Sequence, residues 1–370
     1  MIYLDNAATT QMKKSLLKVY EKYSCENFFN PSAGYFSALE NSKELENARK
    51  IILKKLGANK GDVIFTGSAT EANNIAIKSV LREGRWEYIF SAGEHPSVYN
   101  VAKNLIENGK VVNFIPLLLN GKVDLDKLAE MVNEKTRLVS VMLVSNETGA
   151  VNDISQVCKI VKNRNPKALI HVDAVQGFCK IRFDISKWDI DFLSISAHKF
   201  HGPKGVGCLY IKSKAGLKPI VFGGQQEFGL RPGTENLAGI MAMAEACNQI
   251  DVDENYKVVQ KLKDAFLSKI DLNAVKYIST ESPYICSLSF PGVNGETLMR
   301  ALENDVIIGT GSACSSKKAG NRVLEAMGYS KEYAKFSVRI SFNAYQTEEE
   351  VVKAADVIMK KYKELLERLR

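Results

Sequence analysis

From about residue 60 to residue 215, short apolar runs alternate with stretches of helical texture, a pattern that predicts β-α units around a mostly parallel sheet. The runs lie at 63–65, 88–90, 111–115, 138–144, 168–172, 192–195 and 207–211. Several end directly in a polar or small residue. In open α/β sheets ligands bind in the crevice beyond the carboxyl ends of the strands, so those end residues are the ones to inspect. After about residue 250 the pattern changes to a helix at 254–270, strands at 285–290 and 337–342, and a closing helix from Glu348, which predicts a smaller α+β unit. In the last helix Val351, Ala355, Ile358, Tyr362, Leu365 and Leu369 recur four and three apart behind a Thr347 cap, a stripe that implies packing and no chemistry.

Composition narrows the class. The chain has 370 residues, 45% of them hydrophobic and 25% charged, which suits packed cores and excludes a disordered or fibrous protein. The length suits one large domain with a smaller one beside it. No run approaches the roughly 20 apolar residues that span a bilayer, and Met1 to Asp5 lacks the layout of a signal peptide, so a cytoplasmic protein without membrane contact is expected. The net charge of +8 is spread along the chain with no long basic block, so direct nucleic-acid binding is not expected. The seven cysteines form no CxxC pair and suggest neither a disulfide framework nor a zinc site.

The strongest local signal is SISAHKFHGPKG at 194–205, where an apolar run ends in Ser196, His198 and Lys199 and then turns through glycines. A desolvated lysine at such a ligand face is a Schiff-base former, as in the lysine link to pyridoxal phosphate; a surface lysine in a tight turn explains the local pattern equally well. His198 and His201 lack the further ligands a metal needs. In ALIHVDAVQ at 168–176, Asp173 ends a buried-type run and can hold the proton of a pyridine nitrogen, or simply cap a helix, and Gln176 can meet the ring's phenolic oxygen. In VIFTGSATEANN at 63–74, Ser68 and Glu71 are spaced as a capping box, and the helix start with Thr70 offers N–H groups to a phosphate or binds nothing. His95 and Asn146 also follow apolar runs: the imidazole can stack on a ring and move protons, and the amide can donate to the ring oxygen. Arg339, in SVRIS at 337–341, is either a clamp for a substrate carboxylate or a solvent-facing strand residue. Cys314 lies in GTGSACSSKK at 309–318, a run too small and polar for a core. It is expected on a flexible, exposed loop, and is the one cysteine that combines exposure with cationic neighbours.

Taken together, GSATEANN, GEHPSV, SNETG, HVDAVQ, SAHKFHGPKG, RPGTEN, GSACSS and SVRISF follow one another in the order found in cysteine desulfurases of the NifS and IscS-like type, and the resemblance covers nearly the entire chain. It implies the fold-type I architecture of pyridoxal-phosphate-dependent transferases. A large cofactor-binding domain would occupy 13–250 with a mostly parallel mixed sheet, and a smaller domain would combine 1–12 with 251–370. It also implies a homodimer in which Ala69, Thr70, Ser196 and His198 hold the cofactor phosphate and Thr234 reaches across from the second copy. Asn30 would lie near the substrate. The reaction implied is that of L-cysteine: the Lys199 amine removes the α-proton, Cys314 takes the sulfur as a persulfide, and L-alanine leaves. The sulfur then passes to an acceptor protein. Phe228 stands where a basic residue is common and the chain stops at Arg370 without a longer tail. A tRNA-thiolating enzyme is therefore as plausible an acceptor as an iron-sulfur scaffold.

Overall fold

The structure, a computed structural model, describes residues 1–310 and 321–368. Among them the strands are, in chain order, β1 (Ile2–Tyr3), β2 (Asp62–Thr66), β3 (Glu87–Ser91), β4 (Val111–Ile115), β5 (Thr136–Ser140), β6 (Leu169–Asp173), β7 (Phe192–Ser196), β8 (Gly207–Ile211), β9 (Lys276–Ile278), β10 (Ile285–Ser289), β11 (Val306–Ile307) and β12 (Ser337–Ser341). Seven of these form one sheet in the order β2-β8-β7-β6-β5-β3-β4. Only β8 runs against the others, and because it lies between β2 and β7, β2 again points the same way as β7. Six carboxyl ends thus meet at one edge, which is what brings chain positions a hundred residues apart to one place.

The apolar runs become buried strands because both faces are covered. One face packs with the helix Phe36–Leu56 and the helix Leu237–Asn248 through Leu45, Ile52, Ile240 and Met243. The other packs with the helices Ala69–Lys78 and Pro96–Glu107 through Ile75, Ile77, Val98 and Leu105. Tyr88, Phe90 and Phe192 are fully buried there, a burial that stabilises by roughly 1.5–3 kcal/mol for such a side chain.

The antiparallel sheet β12-β10-β9 builds another core with the helices Val252–Leu267, Gly295–Leu302 and Glu348–Arg368. Leu4 and Ala7, from the opening segment, are buried in this core, and Leu4 N–H donates to Ile307 O. In the closing helix Thr347 Oγ1 accepts from Glu350 N–H and Glu350 returns a carboxylate oxygen to Thr347 N–H, a complete capping box. Val351, Ala355, Ile358 and Tyr362 of the expected stripe are buried, while Leu369 lies outside the described residues. No helix among the described residues is long and apolar enough to cross a membrane.

Two expected elements differ. The run at 138–144 is one strand only as far as Ser140. Beyond it Met142 N–H donates to the buried carboxylate of Glu94 at 2.8 Å, so a side chain takes the place a neighbouring strand would have had. The helix expected at 254–270 spans Val252–Leu267, because Asp251 accepts from Glu254 N–H and starts it early.

Candidate active site

The edge where the strands end opens into a cavity of about 400 Å³. Its first wall is the turn after β2. Ser68 Oγ accepts from Glu71 N–H at 3.3 Å, and the first-turn N–H groups of Ala69 and Thr70 have no helical acceptor and line the cavity. The expected capping box is only half made. Glu71 gives its carboxylate to Gly67 N–H and to Arg231 Nε instead of to Ser68 N–H. Gly207 on β8 explains how closely this turn is held: a Cβ there would lie 2.9 Å from Ser68 C and 3.0 Å from Ala69 N. Any side chain at that position moves the turn.

Asp173, at the end of β6, is buried. Its carboxylate accepts from Val175 N–H and from Asn73 Nδ2, both at 3.0 Å, so it is fixed from its own turn and from the helix Ala69–Lys78. Asn73 Nδ2 also donates to Ser97 Oγ at 2.8 Å, and its Oδ1 is buried without a partner. His95 caps the helix Pro96–Glu107, accepting at Nδ1 from Ser97 N–H at 3.1 Å. Burial lowers its pKa, with Lys199 and Arg322 acting the same way against the carboxylates of Asp173 and Glu147. A neutral ring that accepts at Nδ1 carries its hydrogen on Nε2, the nitrogen left for the cavity.

Lys199 follows β7. Its Nζ donates to Ala7 O and Ala8 O, each at 2.7 Å, and both acceptors come from the opening segment nearly two hundred residues away. Burial first, and the Arg339 guanidinium second, lower the amine to about 8 against the pull of Asp5 and Asp173. Ser196 and His198 line the same wall. His198 is held to about 4 by burial and by the nearby lysines 199, 180 and 204.

Arg339 is the contribution of β12. It is buried, which excludes the solvent-facing alternative. Nη2 donates to Asp5 Oδ1 at 2.8 Å and Nη1 to Asn146 O at 3.0 Å, while Nε is buried without a partner. Arg339 lines the cavity, and a guanidinium there fits a carboxylate ligand. Asn146 lines the cavity, but its Nδ2 donates to Glu147 Oε1 at 2.8 Å. Gln176 lines it too, with Nε2 donating to Ala7 O at 2.9 Å. These groups fit a phosphorylated pyridine ring bound through an amine: a carboxylate to accept from the ring nitrogen, a helix start for the phosphate, and a lysine of lowered pKa.

The cavity therefore gathers Ala69, Thr70, His95, Asn146, Asp173, Gln176, Ser196, His198, Lys199 and Arg339. It does not gather Asn30 or Thr234. Asn30 is exposed, with its side-chain oxygen turned back on Ser32 N–H, and Thr234 is exposed outside the cavity. Cys314 lies outside the described residues. Of the cysteines among the described residues, Cys25 is exposed and Cys158, Cys179, Cys208, Cys247 and Cys286 are buried. Residues missed in the sequence are Asn73, Glu94, Asp5 and Glu147. Asn73 stands inside a motif already singled out, but the hundred residues between it and Asp173 leave no spacing to read. Asp5 lies 334 residues from Arg339, so no spacing along the chain ties the two together.

Residues 2–353 match the family model described as aminotransferase class-V. A cysteine desulfurase IscS from Dictyoglomus turgidum is 35% identical over 383 aligned residues, covering 100% of this chain and 95% of that protein. A Nostoc cysteine desulfurase is 33% identical over 381 residues, covering 100% of this chain and 94% of its own length. Among solved structures, a NifS-like protein superposes with a TM-score of 0.91 at 35% identity, covering 99% of both chains. A structure described as SspA in complex with cysteine gives a TM-score of 0.82 at 30% identity, covering 94% of this chain and 100% of that one.

Proposed function

The chain belongs to the aminotransferase class-V family and is a pyridoxal-phosphate-dependent cysteine desulfurase, and from that premise we propose how its residues divide the work. The enzyme removes sulfur from L-cysteine, releases L-alanine and passes the sulfur to an acceptor. Pyridoxal phosphate, when bound, supplies an electron sink for the pair left on the α-carbon.

In our reading Ala69 and Thr70 N–H, Ser196 and His198 would hold the phosphate, Asp173 would hold the proton on the ring nitrogen, and Gln176 and Asn146 would serve the ring oxygen. His95 would keep its Nε2–H available for proton exchange. Arg339 receives the substrate carboxylate with its guanidinium. The Lys199 amine takes the α-proton and later returns a proton to carbon. A base must be neutral to act, and an amine held at about 8 is partly neutral near pH 7.5, where an ordinary lysine is not. That depressed, half-buried amine on the rim shared with Asp173 and Arg339 is the observation that carries the reading.

Cys314 is the proposed sulfur nucleophile. Its thiolate attacks the substrate sulfur, a sulfur-sulfur bond forms, the substrate carbon-sulfur bond breaks with its electron pair left on the carbon side, where protonation completes alanine, and the persulfide stays on Cys314. Replacing it tests the assignment. In Cys314→Ala, alanine formation from cysteine should fall at least about 100-fold while the protein keeps its cofactor colour; alanine release at the full rate would refute the persulfide step.

We further propose a homodimer in which Thr234 completes the neighbouring site, and Asn30 lies near the substrate. Support comes from Phe222 at 87% exposure, Phe36 at 72% and Phe28 at 63%, large apolar side chains that a second copy would cover. The proposed setting is the cytoplasm, and the proposed acceptor is an iron-sulfur scaffold or a tRNA-thiolating enzyme. The IscS name of the Dictyoglomus relative favours the scaffold.

A further inference from the structure

Glu71 stands in the first turn of the helix Ala69–Lys78, at the position from which a capping carboxylate reaches back over the helix start. That start is the proposed seat of the cofactor phosphate, and a carboxylate there competes with a phosphate for donors and repels it. The fold diverts the acid. Its Oε2 accepts from Gly67 N–H, and its Oε1 accepts from Arg231 Nε at 3.2 Å. Among the described residues, Arg231 is the cation paired with Glu71, and it comes from 160 residues further along the chain.

Arg231 is delivered by a strained segment. Glu227 and Phe228 hold φ at 49° and 60°, in the left-handed region that side chains disfavour and that persists only where surrounding contacts impose it. Glu227 supplies those contacts as the one buried residue of the stretch 221–229. Arg49 forks onto it, Nη1 to Oε2 and Nη2 to Oε1, both at 2.7 Å, and Phe65 N–H of β2 donates to Oε2 at 2.8 Å. Arg49 Nη1 also donates to Val63 O. The ion pair thereby serves the outer edge of β2, whose inner edge is taken by β8, and pins the backbone four residues before Arg231. Beside the turn after β2, Gly67, Glu227, Arg231 and Glu235 line a hollow of about 30 Å³, and Glu235 Oε2 is buried without a partner. Arg49 is spent on Glu227, so among the described residues Arg231 is the cation of this hollow.

We propose that Arg231 is a positioning residue for the cofactor phosphate: it holds the Glu71 carboxylate at Gly67 N–H and offsets its charge, so that the helix start at Ala69 and Thr70 stays open to a phosphate dianion. This rests on the reading of that helix start as the phosphate seat. Without Arg231 the unpaired carboxylate, one residue beyond Thr70, sets a negative charge beside the dianion. It is also free to return to Ser68 N–H and complete the capping box over the same turn. Both effects act against the charge of a phosphate, so they bear on a phosphorylated ligand and spare its unphosphorylated counterpart. Both also run through Glu71, so removing that carboxylate removes the loss.

The test uses the full chain freed of cofactor, with pyridoxal phosphate and pyridoxal as the two probes in equilibrium dialysis. The preference for the first over the second, as a ratio of dissociation constants, isolates what the phosphate contributes. In Arg231→Gln that preference should fall about tenfold, and adding Glu71→Gln to the same chain should restore it to within about threefold of the parent. Arg231→Lys, which keeps the charge, should also stay within about threefold. An unchanged preference in Arg231→Gln overturns the proposal. So does a fall that Glu71→Gln leaves in place, because Arg231 then acts through packing and not through the carboxylate. Should Arg231→Gln lose its native circular dichroism, Glu71→Gln alone decides: a preference at or above the parent's supports the proposal, and a fall of about threefold or more overturns it. The reading of the helix start fails separately, if the parent binds pyridoxal as tightly as pyridoxal phosphate.

Discussion

The two sheets supply the site in opposite ways. The seven-stranded sheet delivers residues from the turns after β2, β3, β5, β6 and β7, because six of its strands end at one edge. The three-stranded antiparallel sheet delivers Arg339 from within β12, held against Asp5 and Asn146. Parallel order concentrates chemistry at strand ends, where the backbone has left the ladder and side chains turn outward. Antiparallel order spends its length on packing, and a residue within it reaches a ligand only where a neighbouring segment leaves it uncovered. The first sheet should therefore govern catalytic rate, and the second substrate capture.

Substitutions can break this division. The largest effect is expected from Asp173→Asn, which keeps the shape and removes the charge. Turnover should fall on the order of 10²–10³-fold at saturating cysteine, with KM little changed, as steady-state alanine release will show. A fall seen only in KM would undo the contrast. Arg339→Lys keeps the cation but loses the planar fork, and should raise KM for cysteine about 10- to 100-fold with kcat within a fewfold. An equal fall of kcat would place Arg339 with the first sheet. The smallest effect concerns acid. All four histidines belong to the first sheet's region, and His171 on β6 is fully buried between Ser140 Oγ at 2.8 Å and Ser194 Oγ at 3.1 Å. Burial holds it to about 4, below its ordinary 6.5. Between those values the unfolded chain binds a proton that the folded chain refuses, so stability falls as pH drops through that window, by about 1–3 kcal/mol. Denaturant melts at pH 7 and pH 5 should show the loss, and His171→Asn should reduce it. Hydrogen exchange at pH 5 should then quicken in β6 and not in β10.

Much of this was legible along the chain. Strand ends could be read from where apolar runs stopped, and Lys199, Asp173 and His95 stood at those ends. What periodicity could not show was how each group is held. The half-made capping box at Ser68 depends on where Arg231 arrives, and the end of β5 depends on Glu94 intercepting Met142 N–H. Neither is a local property of the residues concerned.

The sequence by itself determined the alternation that builds the parallel sheet, the order of the motifs and the residue types at the strand ends, because burial and backbone preference act over a few residues at a time. Only the tertiary structure decided that Ala7 and Ala8 would accept from Lys199, that Asn73 would clamp Asp173, and that Asp5 would pair with Arg339. Those contacts join segments up to 334 residues apart, and their strength comes from a shared low-dielectric interior that exists only once both cores have closed.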